Sequence, residues 1–296
     1  MNNAILLSVI TLTRNRAHLL EKCLASLKGQ LLVTDEIIII DNNSTDNTQI
    51  LLKKYKRILP VRVYKSGLSG YPNLYNFAIS KCVNPLIVFL DDDCMATPGF
   101  IARIRNKYSI KQNYVLQGKT LSLPRNNIFS EISERHLANW INANVVAGNK
   151  LQVIDNRNVV IPKVIIDRVG NFSPGMKTGS EDVEFGLRLF SSGIPIIYDP
   201  SHLVYHHERT NLKDFLFQHY RIAKSHAVLD RKVLSKQRLF VFNRRTWHCN
   251  FHSALELLIR YWRVRRYKDI SYLPSVYLLL VITRIIGYLS GKHEQN

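Results

Sequence analysis

Four short apolar runs in the first third of the chain, at residues 6–12, 36–40, 61–64 and 86–90, alternate with stretches of helical periodicity. Each run has the length and apolar character of a buried strand. Between the first two, residues 18–28 carry Leu19, Leu20, Cys23, Leu24 and Leu27 at helical spacing. A polar loop from Asp41 to Thr48 then offers Ser44 or Asp46 as the N-cap of a helix running to Tyr55, and residues 74–81 form a third helix. This rhythm predicts an α/β fold, a mostly parallel, doubly wound, twisted sheet flanked by helices.

The fourth run, Leu86-Ile87-Val88-Phe89-Leu90, stops on Asp91-Asp92-Asp93. Three clustered carboxylates repel one another unless a counter-charge is present. Hard cations such as Mg²⁺ or Mn²⁺ bind through one or two carboxylates plus substrate phosphates. Open α/β sheets place ligands at the carboxyl ends of their strands. A metal-bridged phosphate site and a solvated acidic turn closed by Thr97-Pro98-Gly99 are the two readings of the triplet.

The second half is less regular until Pro174–Arg188, where a glycine-containing approach gives way to a helix with Glu181 and Asp182 in its first turn. Acids there are favoured by the helix dipole, so Ser180 and Glu184 as a simple cap stand beside a catalytic reading. A further strand at 193–198 precedes Val204-Tyr205-His206-His207, whose histidines are either a surface pair or a source of an imidazole ligand.

The net charge is +19, and residues 221–296 hold 15 Lys and Arg against 4 Asp and Glu. The last quarter therefore carries more than half of the excess, which points to an anionic partner. Residues 213–238 mix apolar and basic positions at helical spacing, and Arg260–Lys268 interleaves aromatics with cations. That is the composition of a peripheral amphipathic segment on an anionic membrane. Residues 273–289 are the most apolar stretch, but at this length and with Arg284 inside they sit at the short limit for a span. Lying in the interface or re-entering is favoured over crossing; a basic helical cap on the core is the plain alternative. Cys23, Cys82, Cys94 and Cys249 are scattered without metal-ligand spacing and read as free thiols in a reducing cytosol. The N-terminus lacks a basic leader region and reads as a first strand rather than a secretory signal.

Taken together, Ser8–Arg16, Glu36–Asp46, Phe89–Asp93 and Glu181-Asp182 resemble, in order and spacing, the motifs of family 2 glycosyltransferases of the GT-A, Rossmann-like fold. The resemblance runs over roughly residues 5–210, so the chain divides into an expected catalytic domain at 1–210 and a basic, helical, membrane-associating extension at 211–296. It implies a nucleotide-diphosphate-sugar donor, a divalent cation (Mn²⁺ or Mg²⁺) and inversion at the anomeric carbon. A saccharide or lipid-linked acceptor at the cytoplasmic face of the plasma membrane, in polysaccharide or glycolipid synthesis, completes the expectation.

Carried over position by position, Thr11 and Arg14 fall in the loop bordering the nucleotide base, and Asp41 falls where an acid contacts base or ribose. Asp91, Asp92 and Asp93 match the family's Asp-x-Asp, with Asp93 on the metal and Asp91 shared between metal and ribose. His206 matches a histidine that completes the metal site, Asp182 the catalytic base, and Glu181 the second choice for that role. Asn76 belongs to a loosely matched glycine-rich donor segment in which Tyr75 replaces an arginine common in relatives. The chemistry is consistent with these roles. Charge growing on the leaving diphosphate needs electrostatic stabilisation, and the acceptor hydroxyl must give its proton to a carboxylate. Two rival classes remain: a metal-dependent nucleic-acid-processing enzyme, which the absence of a recognised nucleic-acid module disfavours, and a non-catalytic sugar-binding relative.

Overall fold

A computed structural model describes residues 5–108, 113–177, 179–233 and 244–293. Their element order is β1 (Leu7–Thr13), α1 (Ala17–Ser26), β2 (Glu36–Asp41), α2 (Thr48–Tyr55), β3 (Val61–Lys65), α3 (Tyr71–Lys81) and β4 (Leu86–Phe89). There follow β5 (Cys94–Ala96), α4 (Phe100–Lys107), β6 (Val115–Leu123), α5 (Ile128–Ala143), β7 (Val145–Ala147), β8 (Lys150–Leu151) and β9 (Val159–Pro162). The chain closes with α6 (Lys163–Val169), α7 (Glu181–Ser191), β10 (Ile196–His207), α8 (Leu212–Val233), α9 (Arg244–Arg263) and α10 (Tyr267–His293).

By contacts the chain divides into two compact units, one of residues 1–121, 144–177 and 181–207 and one of residues 122–143, 178–180 and 208–296. The first contains the sheet, in the order β3-β2-β1-β4-β9-β6-β10-β8-β7, with β5 on β10. Parallel pairing extends over β3, β2, β1 and β4, and beyond β4 the registered pairs are antiparallel. The sheet as a whole is thus mixed: parallel neighbours require crossover connections, and α1, α2 and α3 supply them between the first four strands. Ile37 to Ile40 are all fully buried, as an interior strand covered on both faces must be, which is why β2 reads as an unbroken apolar run rather than an alternating one.

Register sets the site. β1 pairs Thr13 with Asp41 and Ile10 with Phe89, so β1, β2 and β4 end at one edge of the sheet. β9 runs the other way, pairing Val159 with Phe89, and the residues just before Val159 therefore pass beside the acids that follow β4. On α7, a Cβ at Gly186 would come 2.6 Å from Ile154 N and Val153 Cα, so glycine there lets the approach to this loop lie directly on the helix.

The second unit is helical, built on a cluster of Phe129, Ile132, Phe215, Leu257, Tyr261, Leu273, Val276 and Leu280 from α5, α8, α9 and α10. α5, drawn from the middle of the chain, is thereby part of the same core as the C-terminal helices. α10 is long and apolar enough to cross a membrane, but only 22% of its most apolar window is buried. Arg284 does not join its exposed face: Nη2 lies 3.2 Å from His219 Nδ1 and 3.5 Å from His136 Nδ1. Cys23, Cys82 and Cys94 are buried free thiols. The Cys249 side chain and the 234–238 part of the basic stretch lie outside the described residues.

Candidate active site

Asp91, Asp92 and Asp93 turn out of β4 at the shared strand edge, and the counter-charge that their repulsion demands is supplied by Arg16. Its Nη1 lies 2.9 Å from both Asp92 Oδ1 and Asp93 Oδ2. Arg14, expected from the resemblance to border the nucleotide base, is exposed; Arg16, which sequence reasoning did not single out, is the side chain that reaches the acids. Burial works against its charge, but Asp92 and Asp93 outweigh that and hold the guanidinium above its ordinary pKa.

His206 arrives on β10, where it is paired with Cys94 of β5. Its Nε2 lies 3.2 Å from Asp93 Oδ1, and the backbone N–H of His207 donates to the Asp93 carbonyl at 2.8 Å. The expected pairing of Asp93 with His206 is therefore present. Asp91 is held differently. The Tyr75 hydroxyl donates to its Oδ1 at 3.1 Å, with the Tyr75 ring edge-on to Phe89 and tilted against Phe172. A neutral phenol thus holds this carboxyl without adding charge. Burial, then the charges of Asp93 and Asp92, push the Asp91 carboxyl up to about 7.

Asp182 and Glu181 begin α7. Asp182 Oδ1 accepts from Val183 N at 2.8 Å, and burial, then the neighbouring charge of Asp155, raise its carboxyl to about 7. That value suits a group that must take a proton near neutral pH. Glu181 is buried and raises the Tyr75 hydroxyl through its charge, after burial and Asp91. Ser180 precedes them at φ 59, and its hydroxyl is 2.7 Å from Ser225 Oγ.

Three expected nucleotide contacts are engaged elsewhere. Thr11 is fully buried and donates to the Leu90 carbonyl at 2.9 Å, tying β1 to β4 beneath the site instead of bordering a ligand. Asn76 pairs both ends of its amide with the Phe172 backbone, donating at 2.9 Å and accepting at 3.0 Å, so it clamps the segment that leads from α6 to α7. Asp41, at the end of β2, accepts from Ser44 N at 3.0 Å and from the Gln49 side chain, which shapes the following loop.

The structure adds a segment that sequence reasoning passed over. Asp155 is buried, and its carboxylate is held by Arg157 through Nε at 3.0 Å and Nη2 at 2.6 Å. Its charge acts on both Asp91 and Asp182. Nothing local in the sequence marks this loop, because it reaches the site only through the antiparallel pairing of β9.

Among the described residues no three His, Cys, Asp or Glu side chains form a ready-made metal cage. The donor set nonetheless fits a divalent ion: carboxylate and imidazole lie side by side at Asp93 and His206, and ions such as Mg²⁺ or Mn²⁺ bind through one or two carboxylates with substrate phosphates completing the shell.

A family model described as glycosyl transferase family 2 matches residues 8–165, more than half of the chain. Chondroitin synthase from Escherichia coli is 24% identical over 237 residues, 68% of this chain and 34% of that protein. Validoxylamine A glucosyltransferase from Streptomyces hygroscopicus subsp. jinggangensis is 27% identical over 223 residues, 64% of this chain and 53% of that protein. The chain thus spans between a third and about half of the length of these curated relatives. Among solved structures, a mannosyltransferase from Pyrobaculum calidifontis in complex with GDP-Man and Mn²⁺ is similar with a TM-score of 0.65 at 14% identity, over 96% of this chain and 86% of that one. S. aureus TarS 1-349 in complex with UDP-GlcNAc gives a TM-score of 0.56 at 15% identity, over 97% of this chain and 90% of that one. The strand-edge acids lie within the matched region and on the sheet that these structures share: the chain belongs to glycosyl transferase family 2 and has the GT-A fold.

Proposed function

We propose that this chain transfers a sugar from a nucleotide-diphosphate sugar to an acceptor hydroxyl with inversion at the anomeric carbon, residues 1–210 doing the chemistry. The observation that carries this reading is Asp182, a carboxyl raised to about 7 at the start of α7 and coupled electrostatically to the loop that also flanks the strand-edge acids. Asp182 is the base that takes the acceptor proton, and Glu181 is the second choice. A carboxylate opposite the leaving group removes that proton as the single displacement proceeds, and single displacement inverts the centre.

Asp93 and His206 would hold a divalent ion, whose charge, when bound, stabilises the leaving diphosphate. Tyr75 keeps Asp91 oriented toward the donor side without adding charge. The printed complexes of the structural neighbours, GDP-Man with Mn²⁺ and UDP-GlcNAc, support a donor of this class and a divalent ion. A polyprenol-linked saccharide acceptor is supported by the similarity, 29% identity over 137 residues, to GalNAc(5)-diNAcBac-PP-undecaprenol beta-1,3-glucosyltransferase from Campylobacter jejuni, 44% of this chain and 43% of that protein.

Residues 211–296 are proposed to lie on the cytoplasmic face of the plasma membrane. Leu278, Ile282, Ile286 and Leu289 recur at helical spacing on α10 and are 62%, 43%, 55% and 47% exposed, an apolar stripe accompanied by exposed Trp262 and Tyr267. An apolar stripe with aromatics and nearby cations is what an interfacial helix needs. The test of the catalytic reading is a panel of nucleotide sugars scored by thermal shift and by donor consumption, with and without Mn²⁺. A donor that binds must raise the melting temperature by mass action, and no shift with any donor in either condition would overturn the proposal.

A further inference from the structure

Phe172 is 1% exposed and sits in a ring cluster that joins two parts of the proposed site. Its ring lies 5.3 Å from that of Tyr75 and 5.7 Å from that of Phe89, centroid to centroid. Both neighbours lead to Asp91: Phe89 closes β4 two residues before it, and the Tyr75 hydroxyl donates to its Oδ1 at 3.1 Å. Phe172 also meets Phe185 of α7 at 4.7 Å. Phe185 stands three residues beyond Asp182, so the two share a face of that helix. One ring therefore touches both the helix that opens on the proposed base and the groups that hold the first strand-edge acid. Close-packed side chains pass a displacement on instead of absorbing it.

The backbone that carries this ring is pinned from two helices. The Phe172 N–H donates to Asn76 Oδ1 at 3.0 Å and its carbonyl accepts from Asn76 Nδ2 at 2.9 Å, which fixes the residue to α3. Arg188 of α7 reaches the same segment, with Nη1 donating to the Val169 carbonyl at 3.1 Å and Nη2 to the Asn171 carbonyl at 2.8 Å. Glu184, also on α7, holds the Arg188 Nε at 2.7 Å. A ring held by packing alone can tilt; one whose backbone is bonded to α3 and whose neighbours are bonded to α7 keeps its place.

We propose that Phe172 is a strut that sets the spacing between Asp182 and the strand-edge acids, and that Asn76 is a positioning residue acting through that strut, not a ligand of the donor. This rests on the reading of Asp182 as the base and deepens it. A misplacement of about 1 Å between reacting groups costs roughly 10²-fold in rate. Donor binding at the strand edge does not depend on where the base stands, so the two effects separate.

The test compares wild type with Asn76→Ala and Phe172→Leu in Mn²⁺, using whichever of UDP-glucose, UDP-GlcNAc and GDP-mannose the wild type hydrolyses, water standing in for the acceptor hydroxyl. Both variants are expected to lose about tenfold or more in kcat, with donor affinity within about twofold of wild type. The acid limb of kcat/KM should also move to lower pH, because a base shifted out of its buried place returns toward the ordinary carboxylate range. Donor affinity that falls in step with kcat in Asn76→Ala would make Asn76 a donor ligand and overturn the inference. So would a lowered melting temperature with kcat and the acid limb unchanged, which is the mark of a purely structural contact. If Asn76→Ala does not fold, Phe172→Leu and Arg188→Lys decide by the same criteria. If Asp182→Asn leaves wild-type hydrolysis intact, the base reading fails and the inference falls with it; if Asp182→Asn is crippled while Asn76→Ala and Phe172→Leu turn over like wild type, only the inference fails.

Discussion

His206 Nε2 sits 3.2 Å from Asp93 Oδ1, joining the end of β10 to the acidic turn after β4. The two residues are far apart in sequence and are brought together by the antiparallel pairing of β10 with β5, in which His206 lies opposite Cys94. The adjacency provides a nitrogen and an oxygen donor on one rigid sheet edge. A divalent ion held there, as proposed, would take its further ligands from substrate phosphates.

Asp93→Ala and His206→Ala are each expected to weaken divalent-dependent donor binding by at least about tenfold while leaving the fold intact, since loss of even an outer-shell partner of a metal ligand typically costs about 10- to 100-fold. Titration of the donor in Mn²⁺ and in chelator checks this. Equal affinity in both conditions for both variants would remove the metal assignment.

Arg16→Gln should expose the repulsion that Arg16 now neutralises. Because Arg16 is 32% exposed and its partners are buried, the loss falls between that of a surface and a buried ion pair, on the order of 1–3 kcal/mol. Ligand-free protein should melt a few degrees lower, and Mn²⁺ should recover more of the loss than it adds to wild type. Calorimetric scans with and without Mn²⁺ measure both, and an unchanged melting temperature would show that the contact is incidental.

Asp182→Asn should lower kcat by roughly 10²-fold or more with little change in donor affinity. With the carboxyl raised from 3.8 to about 7, wild-type kcat/KM should drop about tenfold per pH unit below that point, as the base becomes protonated. The stability effect has the opposite sense. A raised carboxyl favours the folded state while protonated, so the penalty of ionising it grows as pH rises from 3.8 through about 7 and is complete above. Asp182→Asn should therefore gain melting temperature relative to wild type at pH 8 and little at pH 4. A larger kcat loss in Glu181→Gln than in Asp182→Asn would exchange the two roles.

Truncating the chain at Arg260 would cut into a packed core, because Tyr261, Leu273, Val276 and Leu280 are buried in the helical unit. Membrane association is better probed by replacing Leu278, Ile282 and Ile286 with Gln, which spares that core. Wild type should bind anionic vesicles more weakly as salt rises, since each nearby cation contributes about 1 kcal/mol and is screened. The triple variant should lose the salt-resistant share. Identical partitioning of the two proteins at every salt concentration would set the membrane reading aside.

By itself, the sequence determined the first four strands with their helices, the helix opening at Glu181, and the chemistry-bearing ends of these elements. Strand periodicity, the halt of an apolar run on Asp91, Asp92 and Asp93, and acids opening the helix at Glu181 and Asp182 are all written in contiguous residues, so they are legible without a fold. Only the tertiary structure decided which side chains face one another. Loop geometry brought Arg16 to the acids, strand pairing buried Thr11 under the site, and packing drew the Asn76 amide onto the Phe172 backbone. The loop of Asp155 joined the site because β9 runs antiparallel beside β4, and Arg284 turned toward His136 and His219 instead of toward the exposed face of its helix. The physical reason is common to all of these: periodicity is a local property, whereas the partner of a charge or an amide is fixed by register and packing between segments that are distant in the chain.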